Sequence, residues 1–182
     1  MKKPIFTTKQ ITRIAILASI SAVLLFINFP ILFFPSFYKI DFSEIPCLLC
    51  GFALGPLSGA MCVILSRLLN VILEGGSETA YVGELASLII SFSFVFISSL
   101  IYKKNHTKKG AIISLFVSVI ASSFIAVAVN YYILLPMFLK TVPDISFVIL
   151  YTLPFNIIKG IINSALVILL YKRISPLIKD IS

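Results

Sequence analysis

Residues 44–73 read EIPCLLCGFALGPLSGAMCVILSRLLNVIL, and the fold turns on whether they form one helix or two. A single helix of that length would run about 45 Å, well beyond a hydrocarbon core of roughly 30 Å. Gly51, Gly55, Pro56 and Gly59 interrupt it. Glycine loosens a helix, and proline removes an N–H and crowds the preceding turn. The expected arrangement is a short helix over 44–54, a turn at Gly55-Pro56 and a second helix over 57–73.

Outward from this stretch lie apolar runs at 11–29, 80–102, 110–135 and 147–171. Each is near the roughly 20 residues a membrane-spanning helix needs. The chain has 182 residues, 59% hydrophobic and 12% charged, without tryptophan, and its mean hydropathy is +1.10. That balance excludes a soluble globular domain. The first run is not read as a cleaved signal peptide, because a further apolar stretch follows it and no small-residue cleavage pattern ends it.

Most of the basic residues fall in three groups: Lys2, Lys3, Lys9 and Arg13; Lys103, Lys104, Lys108 and Lys109; and Lys172, Arg173 and Lys179. Placed together on the cytoplasmic side, they require an even number of crossings between successive groups. Residues 44–73 therefore contribute two crossings, not one. The expectation is a single all-α integral membrane domain over 1–182, with spans near 11–29, 44–54, 57–73, 80–102, 110–135 and 147–171. Both termini are then cytoplasmic in a multi-pass protein of the cell membrane. The same distribution accounts for the net charge of +8 without nucleic acid as a partner.

A helix over 44–54 cannot cross the bilayer alone. The preceding segment, Phe29 to Tyr38, is apolar and carries Pro30 and Pro35. It reads as a folded outer loop between the first two helices that dips into the membrane against its neighbours, since irregular backbone at that depth must be buried in protein.

With this topology, every carboxylate except Asp180 (Asp41, Glu44, Glu74, Glu78, Glu84 and Asp144) lies on or near the outer side. Lys159 lies 13 residues before Lys172, about 20 Å along a helix from the inner boundary. Asn156, Lys159 and Asn163 share one helical face. Asn130 and Glu84 fall at the outer ends of their own spans, so several helices bring polar groups to a similar depth, as a small-molecule pocket requires. Arg67, Glu74 and Glu78 are expected to snorkel to the outer surface, and Lys159 is offered a structural ion pair with Glu84 or Glu44.

There is no G-x-x-x-x-G-K-[ST] segment, so energy from nucleotide must come from another chain. Cys47, Cys50 and Cys62 in apolar helices read as packing residues, and the one histidine, His106, falls in a basic loop, which leaves no metal site to propose. On the first span Ala15, Ala18, Ser19 and Ala22 permit close helix approach.

The run Tyr38-Lys39-Ile40-Asp41-Phe42-Ser43-Glu44-Ile45-Pro46, followed by Gly51-Phe52-Ala53-Leu54-Gly55-Pro56, resembles the first loop and second helix of S components of energy-coupling-factor (ECF) transporters. Asn130-Tyr131-Tyr132-Ile133-Leu134-Leu135-Pro136 and Pro154-Phe155-Asn156-Ile157-Ile158-Lys159-Gly160 are similar to the riboflavin-specific members. The resemblance implies a vitamin-binding subunit, not an enzyme, with riboflavin as transported ligand rather than cofactor. It also implies a membrane T component and two ATPases as partners. Asn130, Asn156 and Lys159 would then meet the uracil-like edge of the flavin ring. Asp41, Ser43 and Glu84 would meet the ribityl hydroxyls, and Phe42, Tyr131 and Phe155 the ring faces. Ala15 with Ser19, or Ala18 with Ala22, would meet the T component. An S component for pantothenate or folate, a membrane enzyme using Glu44, Glu84 or Asp41, and a self-sufficient carrier are the competing readings.

Overall fold

The computed structural model describes residues 6–35, 38–74, 78–140 and 144–179. Lys2, Lys3, Ser36, Phe37 and Asp180 lie outside the described residues. The helices are α1 (Thr8–Phe26), α2 (Glu44–Leu54), α3 (Pro56–Glu74), α4 (Glu78–Tyr102), α5 (Lys108–Val129), α6 (Leu135–Leu139) and α7 (Ile145–Lys179). Among the described residues, five stretches are long and apolar enough to cross a bilayer: Thr8–Phe26, Pro56–Leu73, Tyr81–Tyr102, Lys108–Met137 and Ile145–Tyr171. The outward faces carry Ile16, Ile20 and Val23 on α1, Phe116, Ile120 and Phe124 on α5, and Ile161 and Leu169 on α7. Such a continuous apolar exterior suits a hydrocarbon surround and not water.

The short helix α2 occupies the middle of the bundle. Every residue from Glu44 to Phe52 is buried, and α2 packs on α1, α3, α4 and α7. Its sequence shows no polar face because it has no solvent side. Gly55 closes α2 with φ +97°, a conformation open to glycine and strained for other residues. The next turn brings α3 back against α2, where a Cβ on Gly59 would stand 2.8 Å from the Gly51 Cα. The backbones therefore meet directly, and the glycines that mark the break in the sequence also set the closeness of the two helices.

The connection between α1 and α2 contains two short strands, β1 (Asn28–Pro30) and β2 (Lys39–Asp41), paired antiparallel with Asn28 opposite Asp41 and Pro30 opposite Lys39. This corrects the purely helical expectation and ends the first helix before Asn28. Three-residue strands are too short to display a period of two, and Pro30 sits where a missing N–H is tolerated at the end of an edge strand. Leu32 (92% exposed) and Phe33 (86% exposed) project from the loop. Phe34 and Tyr38 pack instead on Phe155 of α7, at ring-centroid distances of 5.7 and 4.8 Å.

Between α5 and α6 the backbone widens into a π turn over Asn130–Leu134. Pro136 is the local cause: it donates no N–H, and its ring crowds the carbonyl four residues earlier, which a wider turn relieves. At the opposite end of the bundle Tyr102 and Tyr171 join α4 to α7 by a 2.6 Å hydroxyl contact.

Candidate functional site

A cavity of about 340 Å³ opens among the β-ribbon, α3, α4, the π turn and α7. From the loop come Tyr38, Lys39 and Asp41; from α3, Arg67 and Asn70; from α4, Glu84, Ser87 and Ser91. The π turn supplies Asn130 and Leu134, and α7 supplies Phe155, Asn156 and Lys159. The volume lies at the lower end of the range for small-molecule sites.

Its floor is a buried charge network. Lys159 Nζ lies 2.8 Å from Asp41 Oδ2 and 3.4 Å from Glu44 Oε1. Asn163 donates to Glu44 Oε2 at 2.8 Å, and the Ser91 hydroxyl donates to Glu44 Oε1 at 3.0 Å. Arg67 donates to Ser91 Oγ at 3.1 Å and pairs with Glu84 at 3.4 Å. Asn70 donates to the other oxygen of Glu84 at 3.2 Å. Each buried charge thus has an opposite charge and further hydrogen bonds, the condition under which ion pairs survive away from water.

The β-ribbon is tied into this network through Asp41. The Ser43 backbone N–H donates to Asp41 Oδ1 at 3.0 Å and the Ser43 hydroxyl bonds the same oxygen. Burial would push the Asp41 carboxyl up, but the Lys159 ammonium and then the Arg67 guanidinium outweigh it and hold the group below the usual carboxylate range.

The amides are oriented by what they already bind. Asn130 donates to the Ala126 carbonyl at 2.8 Å and Asn156 to the Thr152 carbonyl at 2.9 Å. A carbonyl only accepts, so the NH2 of each side chain is fixed toward its own helix, and each amide keeps its Oδ1 as acceptor together with a second N–H. The Tyr38 hydroxyl reaches Asn130 Oδ1 at 3.5 Å and Thr152 Oγ1 at 2.6 Å. Lys159 carries three donors, and two carboxylates face it, which leaves a proton for whatever enters the cavity.

Of the residues singled out from sequence, Asp41, Glu84, Asn130, Phe155, Asn156 and Lys159 border this one cavity. Three others are placed elsewhere. Ser43 is buried beneath Asp41, with its hydroxyl committed there. Phe42 packs against the bundle core, and Tyr131 sets its ring edge-on to Tyr132 at 4.9 Å. Lys159 pairs with Glu44, one of the two partners anticipated, and with Asp41 rather than Glu84.

Arg67 is the larger correction. It is not a snorkelling residue: it is 4% exposed and linked to α4 through Glu84 and Ser91. Asn70 and Tyr38 went unnoticed, although Arg67 and Asn70 stand at i, i+3 on α3, the same one-face spacing that picked out Asn156 and Lys159.

On α1, Ala18 and Ala22 are 1% and 2% exposed and face the chain's own bundle, so a partner helix cannot reach them. Ala15 and Ser19 lie on the exposed side. Cys47, Cys50 and Cys62 are buried in the core.

Comparison with known proteins agrees with this architecture. The family model described as ECF transporter, substrate-specific component, matches residues 9–171. The riboflavin transporter RibU of Staphylococcus aureus (strain TCH60) is 34% identical over 180 residues, covering 95% of this chain and 94% of that protein. The riboflavin transporter FmnP of Bacillus subtilis (strain 168) is 31% identical over 181 residues, covering 94% and 95%. A solved S component of a bacterial ECF transporter superimposes with a TM-score of 0.81 at 35% identity, over 94% of this chain and 98% of that one. With the family model spanning nearly the whole chain and the fold shared throughout, the chain belongs to the substrate-specific components of ECF transporters.

Proposed function

We propose that this chain is the riboflavin-binding subunit of an ECF-type transporter. It takes riboflavin from the outer side of the cell membrane and delivers it with a T component and two ATPases, both of its termini lying in the cytoplasm. The observation that carries the reading is the 340 Å³ cavity in which Asn130, Asn156 and Lys159 converge from two helical segments beside Phe155, in a chain 34% identical to a riboflavin transporter.

The chemistry fits. The uracil-like edge of the flavin ring offers two carbonyl acceptors and one N–H donor. Lys159 supplies a donor for a carbonyl, while Asn156 Oδ1 or Asn130 Oδ1 accepts from the N–H. Phe155 covers a ring face. The carboxylates Asp41 and Glu84 take ribityl hydroxyls as charged acceptors. Phe42, Ser43 and Tyr131 act one step removed, holding the loop and the π turn rather than touching the ligand. Ala15 and Ser19 mark the side of α1 that meets the T component.

The test is a titration of detergent-purified protein with riboflavin, read by quenching of flavin fluorescence. Saturable one-to-one quenching that excess pantothenate and folate fail to reverse is the expected result. Absence of quenching by a folded sample overturns the reading.

A further inference from the structure

Asn70 is 1% exposed and borders the cavity from α3. Its amide NH2 donates to Glu84 Oε1 at 3.2 Å. A carboxylate oxygen only accepts, so the orientation of the amide is fixed by chemistry and Oδ1 is its remaining acceptor. That Oδ1 is buried and meets no hydrogen-bond partner among the described residues. An acceptor removed from water and left unmet is unfavourable, and few native side chains tolerate it without a function. Here the orphaned atom belongs to a residue bordering a ligand-sized space.

The kind of donor it awaits follows from its neighbours. Asn130 and Asn156 already offer Oδ1 acceptors from the π turn and α7, and a flavin ring has a single N–H for them to share. The α3 and α4 side presents a different set: Arg67 as donor, Glu84 and Asn70 as acceptors, Ser87 as both. Alternating donors and acceptors suit hydroxyl groups, each of which gives and receives one bond. We infer that Asn70 is a specificity-determining residue whose Oδ1 accepts a hydrogen bond from a hydroxyl of the ligand's polyol chain, with Glu84 holding the amide in that orientation.

The inference rests on the riboflavin reading and names which end of the ligand faces α3. Binding of riboflavin and of lumiflavin, which keeps the ring and replaces the polyol by a methyl group, is measured for the full chain and for Asn70→Ala. The full chain should prefer riboflavin, and Asn70→Ala should weaken riboflavin at least tenfold while changing lumiflavin less than threefold. Unaltered lumiflavin binding also reports that the variant is folded. Asn70→Ser, which keeps a small polar side chain whose hydroxyl is too short to reach either Glu84 or the ligand, should show the same ligand-selective loss and serves where the alanine variant does not fold. Equal loss for both ligands, or no loss for riboflavin, overturns the role of Asn70 and leaves the riboflavin reading standing. A full chain that binds neither flavin overturns that reading itself.

Discussion

Lys159 Nζ meets Asp41 Oδ2 at 2.8 Å across a sequence separation of 118 residues, joining α7 to the β-ribbon at the edge of the cavity. Both side chains are largely withdrawn from solvent. Removing Lys159 takes the ammonium from both Asp41 and Glu44, which in buried pairs costs about 3–5 kcal/mol, whereas removing Asp41 leaves Lys159 still paired with Glu44 and costs less. Lys159→Met should therefore lower both unfolding stability and flavin affinity. Asp41→Asn with Lys159→Met should fall short of the summed single effects by at least about 1 kcal/mol. Thermal unfolding in detergent, run as a double-mutant cycle, measures this coupling. Additive losses would mean that the two groups do not depend on each other.

The same pair sets a pH dependence. Asp41 is driven upward by burial and more strongly downward by Lys159 and Arg67, so its folded value lies below the unfolded one near 4. A carboxyl lowered on folding stabilises the native state above its unfolded pKa, and that stability is lost as pH falls through the folded value. The contribution of Asp41 should be constant from pH 8 to about 5 and should decline only in more acidic solution. The melting midpoint of the full chain compared with Asp41→Asn across that range checks it. A difference between the two that changes around neutral pH would contradict the assignment.

How much of this was legible in the sequence varies with the range of the interactions. The break between α2 and α3 is written locally, because Gly55 with its positive φ and Pro56 at the start of α3 stand at it, while Gly51 and Gly59 lie inside the two helices. The polar stripe of α7 is equally local. Arg67 was misread because seven residues separate it from the end of α3 at Glu74, about 10 Å, within plausible reach of a surface for a long side chain. What holds it inside are Ser43, Glu84 and Ser91, each 17 or more residues away. No local pattern encodes such a pairing. The inward turn of Ala18 and Ala22 and the outward turn of Ala15 and Ser19 likewise depend on where α2 and α3 pack against α1.

The glycine contact gives a prediction about packing alone. A Cβ on Gly59 meets backbone, the Gly51 Cα at 2.8 Å, while a Cβ on Gly51 meets mainly the Ser99 side chain. A side chain can rotate away and a helix backbone can only shift. Gly59→Ala should therefore destabilise by about 1–3 kcal/mol, as overpacked sites do. Gly51→Ala in a Ser99→Ala background should be milder than Gly51→Ala alone. Detergent unfolding midpoints for the three variants test the order, and a Gly59→Ala protein as stable as the parent would mean that α2 and α3 can separate freely.

Discrimination against phosphorylated ligand follows from the charges around the cavity. Three carboxylates, Asp41, Glu44 and Glu84, border it against two buried cations, Arg67 and Lys159, and both cations are already paired. The remaining cation of the lining, Lys39, is exposed. A phosphate ester brings about −1.5 to −2 charges, and it would have to displace an existing partner or stop at Lys39. Riboflavin should bind at least tenfold more tightly than its 5′-phosphate, a difference of about 1.4 kcal/mol or more. Glu84→Gln, which takes a negative charge from beside Arg67 while keeping an acceptor for Asn70, should narrow that ratio by improving the phosphate form relative to riboflavin. Competition titrations of the two flavins against the parent and Glu84→Gln measure both ratios. Equal affinity in the parent, or an unchanged ratio in the variant, would show that charge balance in the cavity does not select the ligand.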